Sequence, residues 1–592
     1  MTQEARNCQN CKKKFVIEPE DFEFYEKIKV PAPTFCPECR MQRRMVFRNE
    51  RSLYKRKCNL CKADIISIYH KDSPYTVYCQ KCWWSDKWES VEYGKNYDFS
   101  KSFFEQFKKL WLSVPQMALI NENAVNSDYC HSTQENKNCY LVFGGDFNED
   151  CFYSTFNFYC KDCLDLYWTF KSELSYGLVD CDNCYKVFFS RYANNCRDSA
   201  FLYDCHNCSD CFGCVGLRNK SYHIFNKPYL KEEYKKQIGK MNLGSFTNLS
   251  ELKEKFNEIK LKYLHRYAMI IGSYNCTGDN IKNSRNCLST FDAHNNLENI
   301  NDLWLAFDGP KDIQSVCHIS KNSELCYDSC SVVSGSNILF SKKIWSNNIN
   351  IQCSYLIISS KDLFGCIGLR NKRYCILNKQ YSKEEYEKLV PQIIEYMNKM
   401  PYIDKQGRIY KYGEFFPIEL SPFAYNETIA QEYFPLTKEQ AIKEGYSWKD
   451  PDERNIKIQI PNNKLPDHIK DVEDSIIGKT IECEHQGECN EQCTFGFKII
   501  EKELEFYKKM NLPLPRLCPN CRHYQRIKQR NPLKLWHRKC QCAGENSENG
   551  VYKNTIEHQH GKEHCPNEFE TTYSPDRKEI VYCEKCYQSE VV

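Results

Sequence analysis

The chain has 592 residues, and its 41% hydrophobic and 14% aromatic content is that of a folded protein with about three or four domains. Its formal charge of +4 gives no argument for a nucleic-acid partner, because each Zn²⁺ bound by four thiolates carries about −2. Dense disulfides belong to small secreted domains, so the 38 cysteines need another explanation. The polar first residues and the lack of an apolar run of roughly 20 residues predict no signal peptide and no membrane span. We therefore expect a cytoplasmic protein whose cysteines are metal ligands or small buried side chains.

Both ends of the chain carry the same segment. CPECR at 36–40 returns as CPNCR at 518–522, and RKC at 56–58 returns at 538–540, with one constant offset. The same offset pairs Phe15 with Phe497, so the register holds without a gap from position 15 to position 58. This indicates a duplicated metal-binding unit.

The N-terminal copy contains four pairs of cysteines with the spacing CxxC. Each pair presents two sulfurs to one ion, and two pairs complete a tetrahedral four-cysteine site of the zinc-ribbon or treble-clef kind. Four thiolates leave no open coordination position, which favours a structural over a catalytic role. The predicted ligands are Cys8, Cys11, Cys36 and Cys39 for the first Zn²⁺, and Cys58, Cys61, Cys79 and Cys82 for the second.

The C-terminal copy has irregular spacing. The predicted ligands are Cys489, Cys493, Cys518 and Cys521 for the third ion, and Cys540, Cys542, Cys583 and Cys586 for the fourth. Cys483 and His485 are alternative ligands of the third ion. An insertion with His558, His560, His564 and Cys565 forms either an extra metal site or a solvated loop. We expect about four structural Zn²⁺ per chain.

A basic run with interleaved aromatic residues follows each CPxCR segment. Basic side chains neutralise phosphates and aromatic faces stack on unpaired bases, so RNA or single-stranded DNA is a candidate partner. Alternatively, the same charges neutralise the neighbouring zinc–thiolate sites. The candidate nucleic-acid contacts are Arg43, Arg44, Arg48, Arg51, Arg526, Lys528 and Arg530.

The middle of the chain holds a second duplication, in which FGCVGLRNK at 212–220 returns as FGCIGLRNK at 364–372. Cysteines ahead of the first copy recur mostly at every twelfth position, between short aromatic stretches and turn residues. They are Cys139, Cys151, Cys163, Cys184, Cys196 and Cys208. The second copy is looser, with Cys276, Cys287, Cys317, Cys326 and Cys353. This period predicts a parallel β-helix with one or two units per coil and cysteines stacked inward.

A rival metal site in the middle would use a run of cysteines spaced by three. The run is Cys205, Cys208, Cys211 and Cys214. A step of three disagrees with the alternation of side chains along one strand, and the second copy keeps only Cys366 of the four. We therefore expect these thiols to pack inward rather than bind metal.

The chain divides into six expected units. They are paired zinc modules (1–95), a β-solenoid half (96–228), a helical linker (229–268), a second half with a capping helix (269–400), an extended connector (401–480) and diverged zinc modules (481–592). The fold class is thus mainly β with helices, as two tandem parallel β-helix-like halves flanked by paired four-cysteine zinc modules. Because β-helices also host carbohydrate-active enzymes, the aspartates of the first half are candidates for catalysis. These aspartates fall at turns, and no carboxylate pair recurs in the second half, so catalysis is the weaker alternative.

Several sequence segments resemble those of an uncharacterised family of cysteine-rich zinc-ribbon proteins of candidate-phyla-radiation (Patescibacteria) bacteria. They are CQKCWWSDKW at 79–88, YDF at 97–99, the two FGCxGLRNK segments and YGEFFP at 412–417. The resemblance implies a cytosolic bacterial zinc protein and supplies no activity. The leading hypothesis is a zinc-binding, non-enzymatic scaffold or binding protein, whose partner is a protein, RNA or single-stranded DNA. The alternative is an RNA- or single-stranded-DNA-binding protein that acts through the basic runs.

Overall fold

A computed structural model describes residues 2–294, 297–301, 304–307, 317–320, 327–328, 330–333, 335–336, 342–344, 348–450 and 456–591. The architecture mixes sheet and helix, with many short parallel strands in the middle and clusters of cysteines at both ends. Cys326 lies outside the described residues, and Cys317 is described only as the first residue of a strand.

The N-terminal region (residues 2–95) and the C-terminal region (481–591) are built from small antiparallel hairpins and helices. The hairpins pair Glu4–Asn7 with Lys14–Ile17, Tyr54–Lys57 with Asp64–Ser67, Ile481–Glu482 with Gly496–Phe497, and Trp536–Lys539 with Glu568–Thr571. The helices are Pro19–Lys27, Pro37–Met45, Gln80–Trp83, Glu501–Met510, Pro519–Ile527 and Glu584–Val591, with a 3-10 turn at Ser90–Tyr93. In both CPxC helices proline takes the first helical position, where its missing N–H has no intrahelical partner.

The first repeat (residues 121–228) consists mainly of short strands that pair in parallel with the strand twelve positions further along the chain. Its last strand, Lys227–Pro228, instead pairs antiparallel with Ser221–Ile224. Lys161 lies beside Glu149, and Tyr167 lies beside Thr155. The strands are Asn121–Glu122, Thr133–Gln134, Glu149–Phe152, Thr155–Phe158, Lys161–Leu164, Tyr167–Phe170, Val179–Asp182, Tyr185–Phe188, Arg197–Ala200, Ser209–Phe212, Ser221–Ile224 and Lys227–Pro228. The period of the cysteines in the sequence is therefore the repeat of the strand pairing.

The second repeat (residues 264–380) is less regular. Ile270 pairs with Ile281, an offset of eleven, whereas Arg285 pairs with Glu298, an offset of thirteen, and this variation accounts for the looser cysteine spacing. Its strands are Leu264–Arg266, Ile270–Ile271, Gly278–Lys282, Arg285–Leu288, Thr290–His294, Glu298–Asn301, Trp304–Phe307, Cys317–Ser320, Cys330–Val333, Gly335–Ser336, Lys342–Ile344, Asn348–Gln352, Tyr355–Ile357, Lys361–Phe364, Arg373–Ile376 and Lys379–Gln380.

Every third residue through much of the first repeat has left-handed backbone geometry. From Tyr159 to Leu174, the residues at 159, 162, 165, 168, 171 and 174 have φ between 45° and 57°. Gly177, Gly213 and Gly216 occupy the same register, where glycine carries no steric penalty. Each left-handed residue turns the chain, so the residue that follows it again points inward.

The left-handed residues allow cysteines three positions apart to lie on one face, which the sequence argument had excluded. Side chains do not alternate along an unbroken strand, so Cys205, Cys208, Cys211 and Cys214 all lie on the buried side. Inward thiols donate to carbonyls further along the chain, as in Cys163 Sγ to Ser172 O (3.4 Å) and Cys205 Sγ to Cys214 O (3.4 Å). The thiols thus satisfy carbonyls inside an interior that they share with leucine, valine, alanine and serine side chains.

We expect Cys208→Ser to leave the metal content of the protein unchanged. Cys208 Sγ donates to His206 O at 3.3 Å, and a serine hydroxyl can do the same, because inward Ser172 and Ser190 each donate to the carbonyl two residues earlier. Elemental analysis of the purified variant checks this, with Cys39→Ser as a matched control that should lose about one ion. Loss of about one equivalent from Cys208→Ser would instead place a metal among the four inward cysteines.

Helices and a long connector complete the chain. Helix Phe103–Ser113 leads through strand Gln116–Met117 into the first repeat. Helices Lys231–Lys240 and Phe246–Lys262 lie between the two repeats, and helix Lys383–Lys399 follows the second repeat. Strand Val77–Tyr78 of the N-terminal region pairs with Gln116–Met117. Ser382 caps Lys383–Lys399 by accepting from Glu385 N at 3.2 Å, and Ser382 N donates to Glu385 Oε2 at 2.9 Å, which completes a capping box. The connector has strands Tyr402–Ile403 and Ile409–Tyr410 and helices Ala430–Tyr433 and Lys438–Lys443. Its 3-10 turns are Ile418–Leu420, Tyr425–Glu427, Asn462–Lys464, Ile469–Asp471 and Asp474–Ile476.

The two GLRNK segments contact opposite ends of the chain. Arg370, in the second repeat, donates to the carbonyls of Trp83 (3.2 Å) and Ser85 (3.5 Å) in the N-terminal region. Arg218, in the first repeat, donates to Asp204 Oδ1 at 3.0 Å, and Tyr587 of the C-terminal region donates to the same carboxylate. Each GLRNK segment therefore lies against the terminal region that is more distant in sequence, while strand Leu264–Arg266 of the second repeat pairs in parallel with Ile580–Tyr582 of the C-terminal region.

Candidate metal centres

The first cysteine cluster joins Cys8, Cys11, Cys36 and Cys39, whose sulfurs all lie within 4.8 Å of one another. Cys8 follows the first hairpin strand, and Cys36 caps helix Pro37–Met45, whose N-terminus favours a thiolate. The Cys11 and Cys36 sulfurs are 3.7 Å apart, close to the separation of about 3.8 Å expected for two sulfurs on one tetrahedral Zn²⁺. The structure thus brings together the four residues that the spacing grouped.

The second cluster repeats this geometry with Cys58, Cys61, Cys79 and Cys82. Cys58 follows the second hairpin's first strand, and Cys79 N donates to Cys58 Sγ at 3.3 Å. Burial opposes ionisation of Cys58, but backbone N–H groups of Cys79 and Cys61 outweigh it and lower its pKa to about 6. A thiol with a lowered pKa is suited to metal binding at neutral pH.

In the third cluster Cys483 takes the place for which the sequence predicted Cys489. The clustered sulfurs are those of Cys483, Cys493, Cys518 and Cys521. Cys518 N donates to Cys483 Sγ at 3.2 Å, as Cys36 N donates to Cys8 Sγ at 3.3 Å. Cys489 lies next to this set, with its sulfur 3.7 Å from that of Cys521, so five sulfurs are available. His485 instead lies beside Glu491, with Nδ1 3.4 Å from the carboxylate.

In the fourth cluster Cys565 takes the place for which the sequence predicted Cys542. The clustered sulfurs are those of Cys540, Cys565, Cys583 and Cys586. Cys565 Sγ lies 3.8 Å from Cys583 Sγ and 3.6 Å from Cys586 Sγ. Cys583 N donates to Cys540 Sγ at 3.2 Å, which matches the Cys79–Cys58 contact of the N-terminal copy. Cys542 instead faces His558.

One rule describes all four hairpins. The first cysteine immediately follows the first strand, and the second lies three positions before the returning strand begins. The C-terminal copy keeps both positions but inserts residues between them, so Cys483 pairs with Cys493 and Cys540 pairs with Cys565. Counting back three positions from the start of the returning strand Glu568–Thr571 finds Cys565, whereas a search for CxxC spacing misses it.

Most of the candidate nucleic-acid contacts are buried in ion pairs. Arg43 pairs with Glu414 at 3.1 Å and Arg48 with Glu50 at 2.7 Å, while Arg44 pairs with Asp328. In the C-terminal copy, Arg526 pairs with Asp165 at 2.6 Å, and Arg530 pairs with Asp180 at 3.0 Å. These side chains are 0–8% exposed, so in this structure they do not present charge to a phosphate backbone.

The remaining two candidate nucleic-acid contacts, Arg51 and Lys528, are not in buried ion pairs of this kind. Arg51 donates to Thr155 (3.1 Å) and Asn520 (3.2 Å), and the exposed Lys528 contacts Glu491. The thiolates receive hydrogen bonds from neutral groups, such as Asn10 Nδ2 to Cys39 Sγ at 3.4 Å. Arg48 pairs within its own terminal region, whereas the other four buried arginines connect the terminal regions to carboxylates of the repeats and the connector.

Glu432 and His523 form a buried pair beside the third cluster, and this pair predicts a pH dependence. Nε2 of His523 lies 3.1 Å from Glu432 Oε1, and the Glu432 side chain is 7% exposed. Burial raises the pKa of Glu432 to about 7 against the opposing charge of Arg51, and burial lowers the pKa of His523 well below its usual range. The native state thus prefers a protonated Glu432 and a neutral His523.

We expect the wild-type protein to lose stability relative to Glu432→Gln as the pH rises from 5 to 8. The folded-state pKa lies above the unfolded value, so the stabilisation is complete below about pH 4 and is lost as the pH rises through about 7. The loss in the free energy of unfolding should be on the order of 2–3 kcal/mol, measured by urea titration of both proteins at each pH. If the free energy of unfolding of the wild type stays constant or rises relative to that of Glu432→Gln between pH 5 and pH 8, this assignment is contradicted.

No family model matches the chain, and no curated protein is significantly similar to it. Among the described helices, none combines the length and apolar character needed to cross a bilayer. The geometry itself supports metal binding: four groups of four cysteines at two ends of one chain, mostly buried and each small enough to surround one ion.

Proposed function

We propose that the protein is a zinc-binding, non-enzymatic scaffold in which four structural Zn²⁺ ions fold the terminal regions and hold them against a solenoid body. The observation that carries this proposal is that each cluster offers four thiolates to one ion. A fully thiolate-coordinated Zn²⁺ has no open position for substrate or water and contributes folding energy instead. The cysteines in the described part of the chain are free thiols, which suits a reducing cytoplasm.

We further propose that each repeat is a parallel β-helix. The constant pairing offset of twelve and the left-handed residue at every third position support a four-sided coil in the first repeat, with one pairing period per turn. Small inward residues, including Cys163, Cys184 and Ser172, suit the narrow interior of such a coil. The boundaries expected from the sequence, 96–228 and 269–400, remain our proposal for the two halves.

Two buried aspartates of the first repeat support a structural rather than a catalytic role. Asp180 pairs with Arg191 at 3.1 Å, and Asp204 pairs with Arg218 at 3.0 Å. Burial opposes the charge of Asp204, but His206 and Arg218 outweigh it and lower its pKa to about 2. A carboxylate that is held ionised in this way is a poor general acid, so we place no reaction on Asp204.

Elemental analysis of full-length protein from metal-replete cells tests the proposal. We expect at least about four Zn per chain, and a loss of about one ion in each of Cys39→Ser, Cys82→Ser, Cys521→Ser and Cys583→Ser. One Zn or fewer per chain would overturn it. Salt-dependent retention of the zinc-loaded protein on immobilised RNA would favour the nucleic-acid alternative over a scaffold that binds protein.

A further inference from the structure

Cys586 belongs to two groups of metal-ligating side chains at once. One is the fourth cluster, with Cys540, Cys565 and Cys583, and the other joins Cys586 to Cys542, His558 and His560. In each group the four ligand atoms lie within 4.8 Å of one another. In the second group Cys542 Sγ lies 3.3 Å from His558 Nδ1, and Cys586 Sγ lies 3.4 Å from His560 Nε2. A sulfur and a nitrogen on one tetrahedral Zn²⁺ are expected to lie about 3.5 Å apart.

Both imidazoles are oriented for ligation. The Nε2 atom of His558 lies 2.9 Å from the Glu590 carboxylate, so the Nε2 proton is held there and the Nδ1 lone pair faces Cys542. In His560 the roles are reversed, because Nδ1 lies 2.7 Å from the Glu563 carbonyl and Nε2 faces Cys586. A hydrogen bond that fixes the outer nitrogen is the usual support of a metal-binding histidine.

Hydrogen bonds hold the residues around this second group in place. Glu590 also accepts from Tyr552 (3.0 Å) and from the Thr555 hydroxyl (2.8 Å), which anchors the carboxylate behind His558. Asn554 donates to Cys542 Sγ at 3.2 Å, as Asn567 donates to Cys583 Sγ at 3.3 Å in the adjoining group. His558 and Cys542 are buried, so the site is enclosed by the fold.

Charge also favours a second ion. One Zn²⁺ on four thiolates leaves about −2, and a fifth buried thiolate at Cys542 would add to this negative charge. A second Zn²⁺ with two neutral imidazoles brings the whole assembly to about −1. The seven ligand residues are the number that two tetrahedra need when they share one vertex.

We propose that the C-terminal region holds two Zn²⁺ ions joined by the Cys586 thiolate. The first ion binds Cys540, Cys565, Cys583 and Cys586, and the second binds Cys542, His558, His560 and Cys586. The whole chain then binds five ions rather than four. This inference rests on the proposed zinc-binding function and adds a two-metal site to it.

The count of ions and its response to substitution test the proposal. We expect about five Zn per wild-type chain and about four in the double variant His558→Ala/His560→Ala. His564→Ala is the matched control from the same insertion, because Nδ1 of His564 lies 3.2 Å from the Cys565 carbonyl, and it should keep five. Cys586→Ser should lose about two ions, whereas Cys565→Ser should lose about one.

A measurement on the wild-type protein guards against variants that fail to fold. The full chain loaded with ¹¹³Cd should show two cadmium resonances split by scalar coupling through the shared sulfur. Five ions without this coupling would overturn the bridge. Four ions, with one lost from each of the four cysteine clusters, would overturn the second ion and leave the proposed scaffold function intact. One ion or fewer would overturn both.

Discussion

Removal of metal by a chelator at neutral pH is expected to unfold both terminal regions while the first repeat stays folded. Zn²⁺ bound by four thiolates contributes about 10–16 kcal/mol of folding free energy in small modules, which is more than their short hairpins and helices can replace. The first repeat has its own ladder of strand hydrogen bonds and an interior of inward thiols, independent of any ion. Hydrogen exchange followed by mass spectrometry should therefore show lost protection in 2–95 and 481–591 and retained protection in 149–224.

Two controls make this result specific to metal. Restoring Zn²⁺ after chelation should recover protection in both terminal regions, and Mg²⁺ at the same concentration should not, because it prefers oxygen ligands. Chelated protein that keeps its terminal protection would contradict structural zinc. Loss of protection across 149–224 would show that the repeat depends on the docked terminal regions.

The sequence predicted the N-terminal clusters because their hairpins have no insertion. When two residues separate the cysteines of each pair, as in Cys8 and Cys11, spacing alone identifies the partners. In the C-terminal copy, inserted residues separate Cys483 from Cys493 and Cys540 from Cys565, although the strand positions are unchanged. Spacing then selects Cys489 and Cys542, since it contains no information about where the strands end.

The period of the first repeat was visible in the sequence, but its mechanism was not. Alternation along a strand assumes right-handed residues throughout, whereas Asp162, Asp165 and Trp168 all have positive φ. Asparagine and aspartate tolerate this geometry, and tryptophan adopts it only because neighbouring strands hold it there. The inward step of three is thus a property of the paired strands, and local propensity cannot reveal it.

The burial of the basic runs also could not be predicted from the sequence. A run rich in arginine with few acids nearby is typical of an exposed nucleic-acid surface. The neutralising carboxylates come from distant segments: Glu414 and Asp328 for Arg43, and Asp165 for Arg526. Charge balance at this distance depends on how the ends of the chain fold back onto the repeats.

Asp165→Asn is expected to destabilise the protein by about 3–5 kcal/mol. Asp165 is buried and pairs with Arg526 at 2.6 Å and with Arg522 at 3.3 Å, both on helix Pro519–Ile527. Burial already lowers the pKa of Arg526 with Asp165 beside it, so removal of that carboxylate leaves a guanidinium buried without its counter-charge. The substitution keeps the side-chain shape and suits a left-handed position, so the loss reports charge rather than backbone strain.

Urea unfolding at pH 7 measures this loss of stability. Two further variants test whether it comes from the buried ion pair. Asp162→Asn has the same left-handed backbone one step earlier in the repeat and is only half-buried, so it should change stability by less than about 0.5 kcal/mol. Arg526→Met added to Asp165→Asn should recover part of the loss, because the unpaired cation is then absent. Equal effects of Asp165→Asn and Asp162→Asn would contradict docking by buried ion pairs. Recovery in the double variant would instead identify the Asp165–Arg526 pair as one of the ion pairs that hold the C-terminal region on the first repeat.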